Sequence, residues 1–156
     1  MINNNDIIRR IRYIFDFGDT KMIEIFSLAD CEVTRAQISD WLKKENDPNY
    51  QYIEDRYLSI FLDGLINDKR GKKEEKKIEL EKQLNNNIVL RKLKIALNLK
   101  DEDILEIFDL SGMRISKHEL SAFFRNPNQP QYRACKDQFL RNFLQGLQIK
   151  YNNNSK

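Results

Sequence analysis

The sequence of 156 residues is poor in glycine and proline, with five and three, and each shortage excludes something. An all-β fold turns often and builds its turns from those residues, so strands joined by hairpins are not expected. Two cysteines, Cys31 and Cys135, give no disulfide framework and no CxxC spacing for zinc. No stretch reaches the roughly 18 consecutive apolar residues of a membrane span. The polar start MINNN, followed by helically spaced apolar residues, is unlike a secretory signal. A cytoplasmic location is therefore the expectation. The sequence also lacks GxxxxGK[ST], GxGxxG, HExxH and the EF-hand loop, so no common nucleotide, zinc-protease or calcium motif is present. What it does have is 40% hydrophobic residues, enough to build a core, and 33% charged residues.

The chain matches itself without a gap when shifted by 82 positions. Asn4, Asn5 and Arg9 fall on Asn86, Asn87 and Arg91. Asp19 and Glu24-Ile25-Phe26 fall on Asp101 and Glu106-Ile107-Phe108. Pro48, Tyr50, Asp55 and Leu58 fall on Pro130, Tyr132, Asp137 and Leu140, and Phe61-Leu62 with Gly64-Leu65 fall on Phe143-Leu144 with Gly146-Leu147. Agreement across whole helices and the loops between them marks a tandem duplication. The organisation expected is a helical repeat over 1–70, a charged linker over 71–84, a second repeat over 85–151 and a flexible tail over 152–156.

Periodicity makes each repeat four helices. In the first, Ile7, Ile8, Ile11, Ile14 and Phe15 form one apolar stripe, with Asn5 or Asp6 as the N-cap. The second follows Asp19, with Met22, Ile23, Phe26 and Ala29 inward. The third opens on Thr34 with Gln37 three residues later, matched by Ser116 and Glu119, and both pairs spell a capping box. The fourth is expected from about Tyr50 to Lys69, with Gly71 as the stop. The fold class is thus all-α, a duplicated four-helix domain whose copies pack with approximate twofold symmetry.

Charge is unevenly shared. Residues 1–68 hold 8 Lys/Arg and 13 Asp/Glu, a net of −5, whereas residues 87–151 hold 11 and 7, a net of +4. Candidate sites emerge from pattern. Arg35, Ser39 and Lys43, spaced i, i+4, i+8 on the third helix, recur as Lys117, Ser121 and Arg125. A basic–hydroxyl–basic strip after a short turn is what a recognition helix offers to phosphates and base edges, although a solvated helix face has the same composition. A helix-turn-helix also wants a small residue near where Phe26 and Phe108 stand and a tighter turn than Asp30 to Val33, so the motif is helix-turn-helix-like. Asp55 and Asp137 lie on the apolar stripe of the fourth helix and need a partner. Arg9 and Arg91 are the natural candidates, with a capping role as the other option. Gly64 and Gly146, inside that helix, imply close approach of another helix, within the repeat or between repeats. His118, the only histidine, replaces Ala36 in the first turn of the third helix and is expected to be solvated. Cys31 and Cys135 align with Met113 and Ile53, which marks both thiols as core side chains.

The repeated FLxGL (Phe61 to Leu65, Phe143 to Leu147), Lys69-Arg70-Gly71 closing the first repeat and Asn85-Asn86-Asn87-Ile88-Val89-Leu90 opening the second resemble the YehS-like family of bacterial proteins. That resemblance implies the same tandem duplication and carries no catalytic or binding residue, the family being a domain of unknown function. The reading is therefore a non-enzymatic binding protein with no cofactor, no metal and no membrane partner. It would bind nucleic acid in a regulatory role through the third helices. The alternative is a protein–protein adaptor using grooves or the opposite charges of the two halves.

Overall fold

A computed structural model of the chain describes residues 2–71 and 83–152; the linker expected over 71–84 lies outside them except for its ends, as does the tail after Asn152. Eight helices fill the described residues, with no strand among them. They are α1 (Asn4–Phe15), α2 (Asp19–Leu28), α3 (Arg35–Leu42) and α4 (Asp55–Arg70), then α5 (Asn86–Ala96), α6 (Asp101–Leu110), α7 (Lys117–Phe123) and α8 (Asp137–Tyr151). The start of every helix in the second set stands at the position the duplication dictates.

Local chemistry sets most boundaries. Both expected capping boxes form: Thr34 and Ser116 each accept from the backbone N–H three residues on, while Gln37 and Glu119 reach back to the cap backbone. The first helix starts earlier than expected, because Asn3 rather than Asn5 or Asp6 is its cap, in a box with Asp6. In the second set Asn85 is the cap and accepts from the Ile88 N–H, without a reciprocal side chain. Left-handed residues end the first two helices of each copy at matching places, Asp16 and Asp30 against Asn98 and Gly112. Asp, Asn and Gly tolerate that conformation best. In α2 the inward residues are Met22, Ile25 and Phe26, with Ile23 only partly buried, because the helix turns Ile25 toward α4. The fourth helix starts at Asp55, later than the periodicity suggested, since residues 50–54 run extended and have their backbone groups claimed by side chains of α1.

Packing within each copy follows the apolar stripes. Phe26 packs at a tilt against Trp41 and Phe61 with ring centroids 5.5 and 5.3 Å away, and Phe108 meets Phe143 at 5.5 Å. Gly64 and Gly146 sit where α4 crosses α2 and α8 crosses α6, the within-repeat form of the close approach.

Between copies the arrangement is crossed. The first helix of each copy packs more extensively on the last helix of the other copy than on its own, α1 on α8 and α5 on α4. The buried side chains consequently form one continuous cluster running through both copies. Polar pairs recur across the twofold. Lys92 pairs with Asp63 at 2.5 Å, both side chains 13% exposed, and at the equivalent places Arg10 donates to Gln145 at 3.2 Å. Arg70 donates to the Ile95 carbonyl, and Asn152 to that of Tyr13. A further pair involves the two aspartates of the fourth helices, Asp55 and Asp137.

Candidate functional site

The third-helix strips sit on short helices, eight residues in α3 and seven in α7, so the i+8 position falls off the end in both. Lys43 is the C-cap of α3, in extended conformation, and Arg125 lies beyond α7. Arg35 and Lys117, the opening cations, have side chains 62% and 66% exposed. Each reaches the first turn of the preceding helix: Arg35 lies 3.6 Å from Asp19 and donates to the Thr20 hydroxyl, and Lys117 lies 3.5 Å from Glu102. Lys43 donates to Ser39 at 2.8 Å and to Asp40 at 3.3 Å. Ser121 is half-buried on α7. Exposed pairs of this kind are worth well under about 1 kcal/mol, so a phosphate can compete for their cations. Phe26 and Phe108, near the position where a helix-turn-helix has a small residue, are fully buried.

Asp55 and Asp137 have a different partner from the arginines expected. Asn4 donates to Asp55 at 2.7 Å and Asn86 to Asp137 at 2.8 Å. The second carboxylate oxygen accepts from the opposite copy, Asp55 from the backbone N–H of Leu84 at 3.0 Å and Asp137 from that of Ile2 at 3.4 Å. Arg9 instead pairs with Asp6 and donates to the Lys43 carbonyl. Among the described residues no ion pair joins Arg9 to Asp55 or Arg91 to Asp137. A carboxylate at the first turn of a helix already suits the partial positive charge there, and neutral amide donors suffice to hold it. These two groups and the asparagines around them flank a cleft of about 590 Å³ on the twofold, with Ile2, Ile7, Leu84 and Val89 as its apolar part and Tyr52 beside them, 53% exposed.

The asparagines were the residues periodicity passed over. Asn5 is fully buried and donates to the carbonyls of Trp41 and Gln51 at 2.9 and 2.8 Å while accepting from the Ile53 N–H at 3.1 Å. Asn87 does the same with Phe123, Arg133 and Cys135. Each copy thus assigns its three consecutive asparagines one task apiece: a cap, a grip on the aspartate and a buried clamp on the extended segment. The recurrence of an amide on the stripe that buries Ile8 and Leu90 was the signal available in the sequence.

That architecture can be set beside known proteins. The family model described as "Protein of unknown function (DUF1456)" matches twice, over residues 4–71 and 86–152. The chain belongs to this family. The "Uncharacterized protein YehS" of Escherichia coli (strain K12) is 46% identical over 145 residues, covering 92% of this chain and 93% of that protein, which puts the chain in a YehS-like family as its motifs implied. No solved structure matches it. Both family matches begin at the Asn4 or Asn86 that grips an aspartate, so the repeat unit as the family defines it contains the clamp and its segment.

The chemistry open to this member of the family is limited by its side chains. Among the described residues, no group of three His, Cys, Asp or Glu side chains is placed to hold a metal, and no helix is long and apolar enough to cross a membrane. His118 is exposed on α7. Burial pushes the Cys135 thiol up to about 12, with Asp137 adding to the shift, and raises Cys31 as well. Since the thiolate is the reactive form, burial leaves Cys135 almost wholly protonated and unreactive at pH 8. Alkylation by iodoacetamide at that pH should therefore spare Cys135 in the folded protein and modify it quickly in urea. Rapid modification of Cys135 without denaturant would show that the α8 end of the second copy opens.

Proposed function

We propose that the protein is a non-enzymatic nucleic-acid-binding protein that uses its third-helix faces in a regulatory role. The observation that supports the reading is the repeated exposed cation at the start of that helix, Arg35 in one copy and Lys117 in the other, each more than 60% exposed and braced from the preceding helix. Bracing fixes a cation in space without burying it, which suits contact with a phosphate. The short α3 and α7 carry few side chains for base edges, so contact with the backbone would dominate and binding would be strongly salt-dependent.

The test is fluorescence anisotropy of the full chain against labelled random-sequence DNA and RNA over a salt series. Replacing Lys117 and Arg125 by Ala should weaken binding and flatten the slope of log K against log salt by roughly one for each phosphate no longer neutralised. No binding at low salt would overturn the reading. The second reading, a protein–protein adaptor, draws on the twofold cleft with its exposed Tyr52 and apolar lining. It predicts binding that persists at high salt and falls when Tyr52 is replaced by Ser.

A further inference from the structure

The two copies align residue for residue, so every charge difference between them stands at an equivalent position. We propose that nucleic-acid contact belongs to the second copy alone, through an exposed basic face made by Lys100, Arg114, Lys117, His118, Arg133 and Lys136. The inference rests on the nucleic-acid reading above and narrows it, from two third helices to one and from a strip on α7 to the loops around it.

All six residues are exposed. Their counterparts in the first copy are Gly18, Glu32, Arg35, Ala36, Gln51 and Glu54, so one cation survives of six basic residues and two acids appear. The positions are matched in structure as well as in sequence. Gly18 and Lys100 are the N-caps of α2 and α6, both extended; Glu54 and Lys136 are the N-caps of α4 and α8. The Gln51 N–H donates to the Asp40 carbonyl at 3.1 Å, and the Arg133 N–H to the Ala122 carbonyl at 3.2 Å. Hydrogen bonds with Ser116 hold the Glu119 carboxyl below its ordinary value, and the nearby charges of Arg133 and His118 act in the same direction. Lys117 joins them from the adjacent position and reaches α6 through Glu102. Arg114, in the α6–α7 turn, has a side chain 94% exposed.

Carboxylates stand among these cations and moderate their field, Asp103 first among them, which accepts from the Lys100 N–H at 2.8 Å where the first copy has Lys21. Glu119 is committed to its capping box, Glu102 faces Lys117 at 3.5 Å, and Asp109 lies 3.9 Å from Arg114. The pairs are exposed, and a phosphate competes with them easily. Over the whole first repeat, residues 1–70, 10 Lys/Arg stand against 13 Asp/Glu, a net of −3, whereas the second carries +4 and attracts a polyanion more strongly. Steering would therefore present the second copy first. Cations that meet phosphates without reading bases give affinity with little sequence preference, so the partner is the sugar–phosphate backbone.

The equivalence of the copies supplies substitutions that the fold already accommodates. In the full chain, Arg114→Glu, Arg133→Gln and Lys136→Glu together give the second copy the residues of the first. The reciprocal set, Glu32→Arg, Gln51→Arg and Glu54→Lys, gives the first copy those of the second. Anisotropy with a labelled random-sequence DNA duplex at fixed salt should show a loss of at least roughly tenfold in affinity and a shallower salt slope for the first set. The reciprocal set should bind more tightly and take up a second equivalent of DNA. If the unmodified chain binds DNA and the first set binds equally well, the assignment to the second copy is overturned and the nucleic-acid reading stands. If the unmodified chain binds neither DNA nor RNA, that reading fails and takes this inference with it.

Discussion

Replacing Asn5 or Asn87 by Ala should lower stability by about 3 kcal/mol each, among the largest effects of any polar substitution in the molecule. Each side chain makes three hydrogen bonds to backbone groups, two as donor and one as acceptor, and two of the three hold the segment that leads into the fourth helix. Alanine leaves those backbone partners in place and unsatisfied, and a buried orphan of that kind costs about 1–3 kcal/mol before relaxation. The melting temperature should fall by roughly 6–12 °C for a chain of this size. Asn5→Asp should be worse, because it buries a carboxylate whose charge faces the Trp41 and Gln51 carbonyl oxygens, to which it cannot donate. Asn3→Ala removes a cap and an exposed hydrogen bond to Glu45 and should cost about 1 kcal/mol. Thermal melts of the three variants followed by circular dichroism give an ordering, Asn5→Asp below Asn5→Ala below Asn3→Ala. An Asn5→Ala melt at the position of Asn3→Ala would show that the extended segment is held by something other than its clamp.

Much of the fold was legible because helical signals are local and the duplication let each be read twice. The periodic stripe of α1, the capping boxes at Thr34 and Ser116 and the glycines inside the fourth helix all rest on residues within one or two turns. The parts that were not legible depend on partners far away in the chain. Asp55 was matched to Arg9 by charge, yet it is gripped by the neutral Asn4, from a position 51 residues away, and by a backbone group of the other copy. The crossed packing of α1 on α8 and α5 on α4 leaves little mark on either sequence, since an apolar stripe looks the same whichever helix covers it. The start of the fourth helix was missed for a related reason. Residues 50–54 carry Tyr52 and Ile53 in helical register with α4, and only the amides of α1, folded against them, keep that backbone extended. On the candidate site, the sequence showed the repeated cations and hid how short the helices beneath them are.

Gly64→Ala should destabilise the protein by about 3 kcal/mol, the opposite of what propensity alone would give. In an open helix, alanine in place of glycine gains about 1 kcal/mol. Here a Cβ on Gly64 would stand 1.9 Å from the Ile25 carbonyl oxygen, and one on Gly146 2.0 Å from that of Ile107. No atom can be approached that closely, and the obstacle is backbone inside α2 or α6, which no side-chain rotation can clear. The helices must separate, and overpacking of that kind costs about 1–3 kcal/mol or more. The two glycines differ in what lies behind them. Gly64 adjoins Asp63, whose carboxylate holds Lys92 across the copy interface with both side chains nearly buried. Pushing α4 off α2 strains that pair, and a buried pair pulled apart loses its attraction while keeping its desolvation cost. Behind Gly146 the matching interaction is the weaker one between Gln145 and Arg10. Urea unfolding should therefore place Gly64→Ala below Gly146→Ala, with both below the parent protein. A stabilised Gly64→Ala would mean that α2 and α4 do not cross at that glycine. Equal losses would confine the strain to each copy and deny the coupling through Asp63 and Lys92.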